Sequence, residues 1–443
     1  MRTLYNILFT VGFILSTPYY FWRMSRRGNW QENFPQRFGK YDAKFKQAIT
    51  NRHMIWLHAV SVGEVNLCTQ LIRALEPRVP NVKIIVSTTT TTGMGVLLKM
   101  LPLRIGKIYY PVDCARCVNR ALNVIHPEAI VLAEAEIWPN FLWRARELGI
   151  PVFLINARIS DKSFRGYKRF ALLFRPLFAS FAGVGVQNEA DAARLRELGC
   201  RPEAIQIIGN LKFDAARLED KSPLDVPALL RQLAVPANAR IIVAGSTHAG
   251  EEALLAEQFQ RLRVRFPDLF LILVPRHFER ARQVGKELAD RGLKFAYRSE
   301  ISSKTAFAPR EIECLLVNTT GELKYFYQHA AVIFVGKSLT AEGGQNPLEP
   351  GALAKAMVFG PHMQNFVEIS RNLVKKNGAV QVRDAAELEK VLGELLADEP
   401  RRAELGRNAL AVIRANEGGV NRTVKMILKQ LKGGDLYVLP TER

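Results

Sequence analysis

The sequence predicts an α/β protein with two doubly wound domains, in which helices cover both faces of a parallel β-sheet. Short runs that are apolar throughout alternate with amphipathic helical patterns, and this alternation stops and restarts once along the 443 residues. Strands without a polar side are typical of parallel sheets buried on both faces. The chain is also too long for one hydrophobic core, so we expect two domains of similar size.

The strand-like runs form two series. The first series contains MIWLHAV, KIIVSTTT, KIYYPV, AIVLAEAEI, VFLINA and GVGVQN, and the second contains IIVAGS, LFLILVPR, ECLLVN, AVIFVGKSL, AMVFG and AVQV. A connector with Pro223, Pro227 and Pro236 separates the two series, which places the domain boundary near residue 220. After the second series the chain ends in a helical pattern.

These patterns predict a division into three parts. Residues 1–30 form a membrane anchor with a basic flank, residues 31–220 a first domain, and residues 221–443 a second domain. Two doubly wound domains that face each other leave a cleft at the carboxyl ends of both sheets, and ligands of such domains bind at those ends. We therefore expect the functional residues to follow the strands.

The N-terminus combines positive charge with an uncharged apolar segment. The chain carries a net charge of +20, and residues 1–52 contain nine Lys or Arg but two acidic residues. Leu4 to Trp22 would reach ~28 Å as a helix, about the thickness of a bilayer core. The aromatic end of this segment and the arginines after it predict a retained anchor, spanning or partly embedded, with the rest of the chain on the cytoplasmic side. A cleaved signal peptide is the alternative, and the bulky aromatics argue against it.

The cysteines and the missing motifs limit the chemistry. Five scattered cysteines are typical of a reducing compartment, and we expect Cys114 and Cys117, a C-x-x-C without a second pair, to be two ordinary thiols. No phosphate-binding P-loop occurs, and TGMGVL lacks the third glycine of a dinucleotide fingerprint. There is also no D-x-D sequence to hold a divalent ion. Protein groups must therefore neutralise any phosphate that leaves here.

Suitable anion-binding groups recur at the ends of predicted strands. They are Lys212 in GNLKFD, Ser246, Thr247 and His248 in AGSTHAGEE, and Arg276 and His277 in VPRHFER. A turn of small residues that opens a helix can bind an anion through its backbone N–H groups and the helix dipole. Each residue also has an ordinary interpretation: Lys212 as a solvated charge, Ser246 and Thr247 as helix N-caps, and His277 as a surface residue. Their recurrence at the same place in the fold favours a binding site.

The stretch from residue 334 to 366 is the densest in glycine and polar residues. A predicted strand ends in Gly336, and the Gly343-Gly344 turn would allow a ligand to approach the backbone closely. Asn346 precedes a short helix in which Glu349 can accept hydrogen bonds from ribose hydroxyls. The alternative is a helix that needs only a turn and an acidic residue at its N-terminus.

Glu64 in WLHAVSVGEV follows a predicted strand and Gly63. An acidic residue at this point either stabilises the start of the next helix or acts as a catalytic base. The residue pattern alone leaves both interpretations open.

Eight motifs in this order, after an N-terminal anchor, resemble the 3-deoxy-D-manno-octulosonic acid (Kdo) transferases of lipopolysaccharide synthesis. The motifs are HAVSVGE, AEAEIWPN, NARISDKSFRGY, GNLKFD, AGSTHAGEE, VPRHFER, GGQNPLEP and FGPHMQNF. The resemblance covers nearly the whole chain. It implies a GT-B fold of two Rossmann-like domains facing a cleft, and an inverting, metal-independent transfer of Kdo from CMP-Kdo to a lipid A precursor (lipid IVA). It implies the cytoplasmic face of the inner membrane as the location, an anionic membrane surface as a partner, no cofactor, and no nucleic acid.

The resemblance also implies roles for individual residues. Glu64 would take the proton from the acceptor hydroxyl, and Glu136 would orient the acceptor or assist charge development. Relatives often have Asp where this chain has Asn318, and His where it has Gln345. Because Asn and Gln still form hydrogen bonds, these departures concern details of nucleotide contact.

Two further groups of residues in the first domain suit an acceptor at a membrane. Glu134 and Glu136 follow a predicted strand, and the alternation of a strand would direct both to the same face. The basic residues Arg158, Lys162, Arg165, Lys168 and Arg169 lie among aromatic neighbours and suit lipid phosphates. The alternative for this basic group is a solvated amphipathic helix.

Other functions share some of these features. Another GT-B glycosyltransferase or a sugar-nucleotide epimerase would have the same fold, although an epimerase needs no anchor. A non-catalytic protein that binds anionic lipid or nucleic acid would have the same charge. Such a protein has no use for a glycine turn at a strand end beside an acidic residue.

Overall fold

The computed structural model describes residues 1–26, 31–50, 52–134, 136–214, 224–302 and 304–431. The chain divides into two compact units, one formed by residues 1–215 and 417–443, the other by residues 216–416. The expected boundary near residue 220 lies outside the described residues. Each unit contains a parallel sheet with helices, so the prediction of two parallel-sheet α/β domains is confirmed.

The described part of the first unit contains a seven-stranded sheet in the order β3-β2-β1-β4-β5-β6-β7, and its neighbouring strands pair in parallel. The strands are β1 His53–His58, β2 Val82–Thr88, β3 Gly106–Tyr109, β4 Ala129–Ala133, β5 Val152–Ala157, β6 Gly183–Val186 and β7 Ile205–Ile207. The helices are α1 Arg2–Ser25, α2 Ala43–Ile49, α3 Val62–Leu75, α4 Thr91–Met100, α5 Ala115–Ile125, α6 Pro139–Glu147, α7 Asp161–Arg169, α8 Ala171–Phe178 and α9 Glu189–Glu197.

Strand β1 shows why this sheet is covered on both faces. Its side chains alternate between two separate hydrophobic clusters, with Ile55 and Leu57 in one and Met54 and Trp56 in the other. All four are fully buried. A strand with apolar side chains on both faces can bury all of them only when helices pack on both sides of the sheet.

The described part of the second unit contains a second seven-stranded sheet, in the order β10-β11-β9-β8-β12-β13-β14, again with parallel neighbours. The strands are β8 Ile241–Thr247, β9 Phe270–Pro275, β10 Phe295–Tyr297, β11 Cys314–Leu316, β12 Val332–Val335, β13 Met357–Phe359 and β14 Val380–Gln381. The helices are α10 Val226–Gln232, α11 Glu251–Arg265, α12 Ala281–Ala289, α13 Leu323–Tyr327, α14 Leu348–Ala352, α15 Val367–Lys375, α16 Ala385–Ala397 and α17 Glu399–Asn416.

The last described helix, α18 Gly419–Leu431, belongs to the first unit. Its apolar residues Val420, Val424 and Ile427 are buried in the same cluster as Ile55. Asp214 accepts hydrogen bonds from the N–H groups of residues 418 and 420, at 2.7 and 3.1 Å. The sequence analysis placed this segment in the second domain. An amphipathic pattern shows that a helix covers a core, but it does not show which core.

Helix α1 packs on the first unit through its first turns. The Tyr5 hydroxyl donates to Asp113 Oδ2 at 2.8 Å, and Asn140 Nδ2 donates to Asn6 Oδ1 at 2.7 Å. The Tyr5 ring also contacts the edge of the Trp143 ring. Among the described residues, no helix combines the length and the apolar character that a membrane crossing requires. The sequence predicts an anchor that is separate from the catalytic fold. The contacts of Tyr5 and Asn6 show instead that the first turns of α1 pack on the first unit.

The structure joins Cys114 and Cys117 in a disulfide, which differs from the expectation of two ordinary thiols. Cys114 is the N-cap of α5 and Cys117 lies one turn later, so their Cα atoms are 5.3 Å apart. That separation is within the normal range for a disulfide. The other three cysteines, Cys68, Cys200 and Cys314, are free and buried.

Candidate active site

The candidate site of the first unit lies at the carboxyl edge of its sheet. The chain runs outward from β1 to β2 and β3, then returns to β4 on the other side of β1. The gap between β1 and β4 is thus the point where the strand order reverses, which is where ligands of doubly wound sheets bind. Glu64 follows β1, and both Glu134 and Glu136 follow β4.

Glu64 is the third residue of α3 and takes part in a capping box. Ser61 is the N-cap, and its Oγ accepts from the Glu64 N–H at 3.2 Å. The Glu64 carboxylate accepts hydrogen bonds from the N–H of Val60 at 2.8 Å, and from the N–H and hydroxyl of Ser61 at 3.3 and 2.6 Å. The side chain is only 7% exposed. These donors satisfy a buried charge and fix its position.

Glu134 and Glu136 do not continue β4, so the prediction that strand alternation orients them is wrong. The strand ends at Ala133, and Glu134 has a φ of 59°, which is a turn conformation. Glu136 Oε2 accepts a hydrogen bond from the indole Nε1 of Trp138 at 2.8 Å. The loop between β4 and α6, rather than an extended strand, therefore places both carboxyl groups near Glu64.

Burial and neighbouring charge favour the protonated forms of Glu134 and Glu136. Burial is the main cause of the raised pKa of each carboxyl group, and the charge of Glu64 adds to it. Lys212 and Arg158 oppose the shift at Glu134, whereas the Trp138 hydrogen bond opposes it at Glu136. Both shifts have the same physical reason, because like charges in a low-dielectric site repel and the neutral form of a carboxyl group avoids that repulsion.

The sequence analysis did not select His58 and Asp113, two buried polar side chains near this loop. The His58 ring, at the end of β1, stacks on Tyr110 with 3.9 Å between ring centroids. Asp113 accepts from the N–H groups of Asn140 and Phe141 at the start of α6, at 3.0 and 2.9 Å. Burial raises the pKa of Asp113 to about 7. The sequence signal that could have identified these residues is a polar side chain at the end of an apolar run. His58 ends HMIWLH, and Asp113 ends KIYYPVD.

The predicted basic residues of the first unit lie in two places. Lys212 and Arg158 lie near the acidic residues, as their effect on Glu134 shows. Arg165, Lys168 and Arg169 are exposed on α7, and Lys168 pairs with Glu197. The aromatic side of α7 packs inward, since Phe164 and Tyr167 contact the hydrophobic cluster. Helix α7 is thus amphipathic, and its basic residues face solvent.

The corresponding reversal of strand order in the second unit lies between β8 and β12. Ser246 and Thr247 end β8, but neither caps α11, whose N-cap is Gly250. Thr247 is buried and donates its hydroxyl to Glu252 at 3.0 Å. His248 follows, and its ring contacts the His277 ring with 5.7 Å between centroids. Two predicted segments are thus brought together here, since His277 follows β9.

Fully buried Glu251 holds the loops after β8 and β12 together. Its carboxylate accepts from the N–H groups of His248, Lys337, Ser338 and Leu339, at 2.8–3.1 Å. Gly336 is required because a Cβ there would lie 2.5 Å from the Ser246 carbonyl oxygen. The glycine therefore serves the packing of the chain on itself.

Hydrogen bonds within the second unit also hold the polar turn before α14 in place. Gly344 has a φ of 71°, and its N–H donates to the Lys337 carbonyl at 2.8 Å. Asn346 Nδ2 donates to Glu349 Oε1 at 3.1 Å. Burial raises the pKa of Glu349, while the positive charges of Lys324 and Arg276 oppose that shift. Glu349, Asn346 and Arg276 therefore share one polar region of the second unit.

Asn318 and Gln345, the two residues that depart from the common family motifs, both take part in hydrogen bonds within the second unit. Asn318 accepts from the Ser299 N–H at 2.9 Å and donates to the Ser299 hydroxyl at 2.8 Å. The Gln345 N–H donates to the Gly336 carbonyl at 3.1 Å. Among the described residues, no group of three His, Cys, Asp or Glu side chains is arranged to hold a metal ion.

Comparison with known proteins identifies the family. Residues 32–215 match the sequence model of the family described as 3-deoxy-D-manno-octulosonic-acid transferase (kdotransferase). A 3-deoxy-D-manno-octulosonic acid transferase of Bordetella pertussis is 32% identical over 416 residues, which cover 91% of this chain and 93% of that protein. A bifunctional glycosyltransferase/methyltransferase of Fusobacterium nucleatum is 31% identical over 346 residues, and the match covers 78% of this chain. The chain spans about half the length of that relative, since the match covers 53% of it.

The solved structures are similar in fold. UDP-GlcNAc 2-epimerase from Neisseria meningitidis, bound to UDP-GlcNAc, superposes with a TM-score of 0.55 at 13% identity, covering 85% of this chain and 100% of that one. Identity this low shows the fold alone. The sequence relatives carry the assignment: over most of its length this chain belongs to the 3-deoxy-D-manno-octulosonic acid transferase family.

Proposed function

We propose that this protein transfers Kdo from CMP-Kdo to a lipid A precursor, lipid IVA, with inversion at the anomeric carbon and without a metal ion. The observation that carries this proposal is the cluster of Glu64, Glu134 and Glu136 at the point of strand reversal in the first unit. Such a cluster offers a base and a neutral carboxyl group in one place.

Glu64 acts as the base in this proposal. The acceptor hydroxyl gives its proton to the Glu64 carboxylate, its oxygen bonds to the anomeric carbon, and the bond from that carbon to CMP breaks with its electron pair leaving on the phosphate. Hydrogen bonds from Val60 and Ser61 hold the carboxylate in place. In this proposal the contribution of Glu64 comes mainly from its position.

The second unit binds the nucleotide in this proposal. Glu349 accepts hydrogen bonds from the ribose hydroxyls, and Arg276 lies close enough to influence the Glu349 charge. The backbone of the loops joined by Glu251 offers a rigid frame for the phosphate. Ser246, His248 and Gly336 lie along these loops, and His277 follows β9. Lys212 belongs to the first unit, where it reduces the negative charge beside the acceptor.

An inner-membrane location with the catalytic units on the cytoplasmic face completes the proposal. Large apolar side chains are exposed along α1, including Leu8 at 64% and Leu15 at 76%. Exposed apolar surface of this extent is typical of a membrane or partner contact. The basic residues of α7 would bind the anionic lipid surface, since each Lys or Arg near such a surface adds ~1 kcal/mol of attraction.

The test is an assay of the full chain with CMP-Kdo and detergent-dispersed lipid IVA in excess EDTA. We expect CMP release that depends on the acceptor, and a lipid product heavier by one or more Kdo units in mass spectrometry. Release of CMP without lipid modification, or conversion of a sugar nucleotide alone, would favour the epimerase alternative. Activity that disappears in EDTA and returns with Mg²⁺ would overturn the metal-independent part.

A further inference from the structure

His58 is the last residue of β1, and its ring faces Glu136 in the segment between β4 and α6. Its Nδ1 is 3.1 Å from the Ser87 carbonyl oxygen and 2.9 Å from the Ser87 hydroxyl. Its Nε2 is 4.0 Å from Glu136 Oε2. The residue is fully buried, and among the described residues Nε2 has no hydrogen-bond partner. A buried imidazole nitrogen without a partner requires an explanation, because such groups are nearly always satisfied.

The contacts of Nδ1 favour a proton on that nitrogen. A carbonyl oxygen can only accept a hydrogen bond, so the 3.1 Å contact with the Ser87 carbonyl is a hydrogen bond only when Nδ1 carries the proton. The Ser87 hydroxyl already accepts from the Trp56 indole at 2.8 Å and lies 3.4 Å from the Leu57 carbonyl, to which it donates. Burial lowers the pKa of His58 to about 3, so the ring is neutral. In the neutral ring with a proton on Nδ1, Nε2 presents a lone pair toward Glu136.

A lone pair that faces an ionised carboxylate is repelled, whereas one that faces a carboxylic acid can accept its proton in a hydrogen bond. We propose that His58 is a positioning residue whose Nε2 accepts a hydrogen bond from a neutral Glu136 carboxyl group, once the Glu136 side chain moves by ~1 Å from the 4.0 Å separation to hydrogen-bond distance. Oε2 then bears the proton and still accepts from Trp138, and Oε1 is left to receive a hydroxyl of the acceptor. This inference rests on the proposed function for its meaning in catalysis, but the protonation of Glu136 can be tested without it.

The groups around Glu136 agree with a neutral carboxyl group. Glu64 on α3 and Glu134 on the same loop add negative charge beside it. On the other sides lie the neutral His58 ring, the Trp138 indole, and the phenols of Tyr110 and Tyr167, whose raised pKa values keep them un-ionised. Among the described residues, the charges with the largest influence on its pKa are the carboxylates of Glu64 and Glu134. A neutral Glu136 lets the site hold a phosphorylated acceptor beside Glu64 with one negative charge fewer.

The indole N–H of Trp138 provides a direct readout, because it donates to the carboxyl group in question. The experiment follows its NMR signal with pH in ¹⁵N-tryptophan-labelled protein, with the signal identified by its absence from Trp138→Phe. In His58→Phe, which keeps a ring against Tyr110, we expect the titration midpoint to fall by about half a unit to one unit, the size of one lost hydrogen bond. Lower polarity alone would raise the midpoint, so an unchanged or raised midpoint overturns the proposal.

A matched control and a measurement on the unaltered protein complete the design. His53 lies at the other end of β1 and pairs with Glu128, so His53→Phe should leave the Trp138 titration unchanged. The ¹⁵N shifts of histidine-labelled wild-type protein report which nitrogen of His58 is protonated, even if His58→Phe does not fold. A proton on Nε2 would refute the proposal directly.

The pH profile of Kdo transfer then connects this protonation to the reaction. The alkaline limb of kcat/KM should move to lower pH in His58→Phe by the same half to one unit, whereas a merely structural loss would lower the rate without moving the limb. A wild-type protein without transferase activity would refute the proposed function, while the Trp138 titration would still decide the role of His58.

Discussion

The Ser61 hydroxyl donates to Glu64 Oε1 at 2.6 Å, inside a capping box that starts α3. The two interpretations of Glu64 left open by the sequence are therefore compatible. The carboxylate stabilises the start of the helix, and the same contacts hold it at the end of β1, where the proposed function requires a base. A capping box accepts Gln in place of Glu, so the two roles can be separated by one substitution.

Glu64→Gln should keep the capping box but lose the base. We expect the rate of Kdo transfer to fall by ~100-fold or more, because the amide cannot accept the acceptor proton. Affinity for CMP and thermal stability should stay close to wild type. Glu387→Gln is the matched control, since Glu387 takes the same place behind the N-cap Asp384 of α16. Turnover of Glu64→Gln within a few-fold of wild type would leave Glu64 with a capping role alone.

The fold could be predicted from the sequence because consecutive central positions of its strands are apolar. A run such as IIVAGS or VFLINA can be buried only in a sheet covered on both faces. The place of α18 could not be predicted, since an amphipathic pattern shows that a helix covers a core but not which core. The same limit explains Glu134 and Glu136: alternation applies while a strand continues, and β4 ends one residue before Glu134.

The sequence predicts candidate residues where motifs follow strand ends. Glu64 follows β1 and His248 follows β8, as expected from the sequence, and their roles in a site stay predictions. His58 and Asp113 were not selected, because their contacts are with residues distant in the chain, such as Ser87, Tyr5 and Asn140. Sequence patterns around one residue do not show which distant residues it contacts.

Glu349→Ala should weaken CMP binding. A charged acceptor of ribose hydroxyls contributes ~1–3 kcal/mol, so calorimetry should show a Kd higher by roughly five- to 150-fold. Glu342→Ala is the control, because Glu342 is an exposed acidic residue in the same glycine-rich loop. An affinity of Glu349→Ala equal to that of Glu342→Ala would show that Glu349 serves only the contact with Asn346.

Asp113 should make the stability of the first unit depend on pH. Its folded pKa is raised to about 7 by burial, so between about pH 4 and 7 the folded protein holds a proton that the unfolded chain has lost. This stabilisation is complete below about pH 4, and up to about 4 kcal/mol of it is lost as the pH rises to 7. Asp113→Asn cannot ionise, so its unfolding free energy should decrease less steeply over this range.

Urea unfolding at pH 5, 6 and 7, followed by tryptophan fluorescence, measures that difference. All five tryptophans precede residue 144, so the signal reports the first unit. Asp42→Asn, which alters the exposed cap of α2, should keep the wild-type slope. Parallel slopes for wild type and Asp113→Asn would mean that Asp113 is ionised throughout, stabilised by the N–H groups of Asn140 and Phe141.

Helix α1 should serve both folding and membrane binding, through different residues. Tyr5→Phe removes the hydrogen bond to Asp113 and should lower the unfolding free energy of the first unit by ~1–3 kcal/mol, with vesicle binding unchanged. Leu8→Gln with Leu15→Gln alters two exposed side chains and should leave stability unchanged. Binding to anionic vesicles should fall at least tenfold, because a buried Leu contributes ~1.5–3 kcal/mol. If the Leu variant binds vesicles as wild type does, the exposed face of α1 does not insert into the bilayer, and the membrane contact must be sought elsewhere, first among the exposed basic residues of α7.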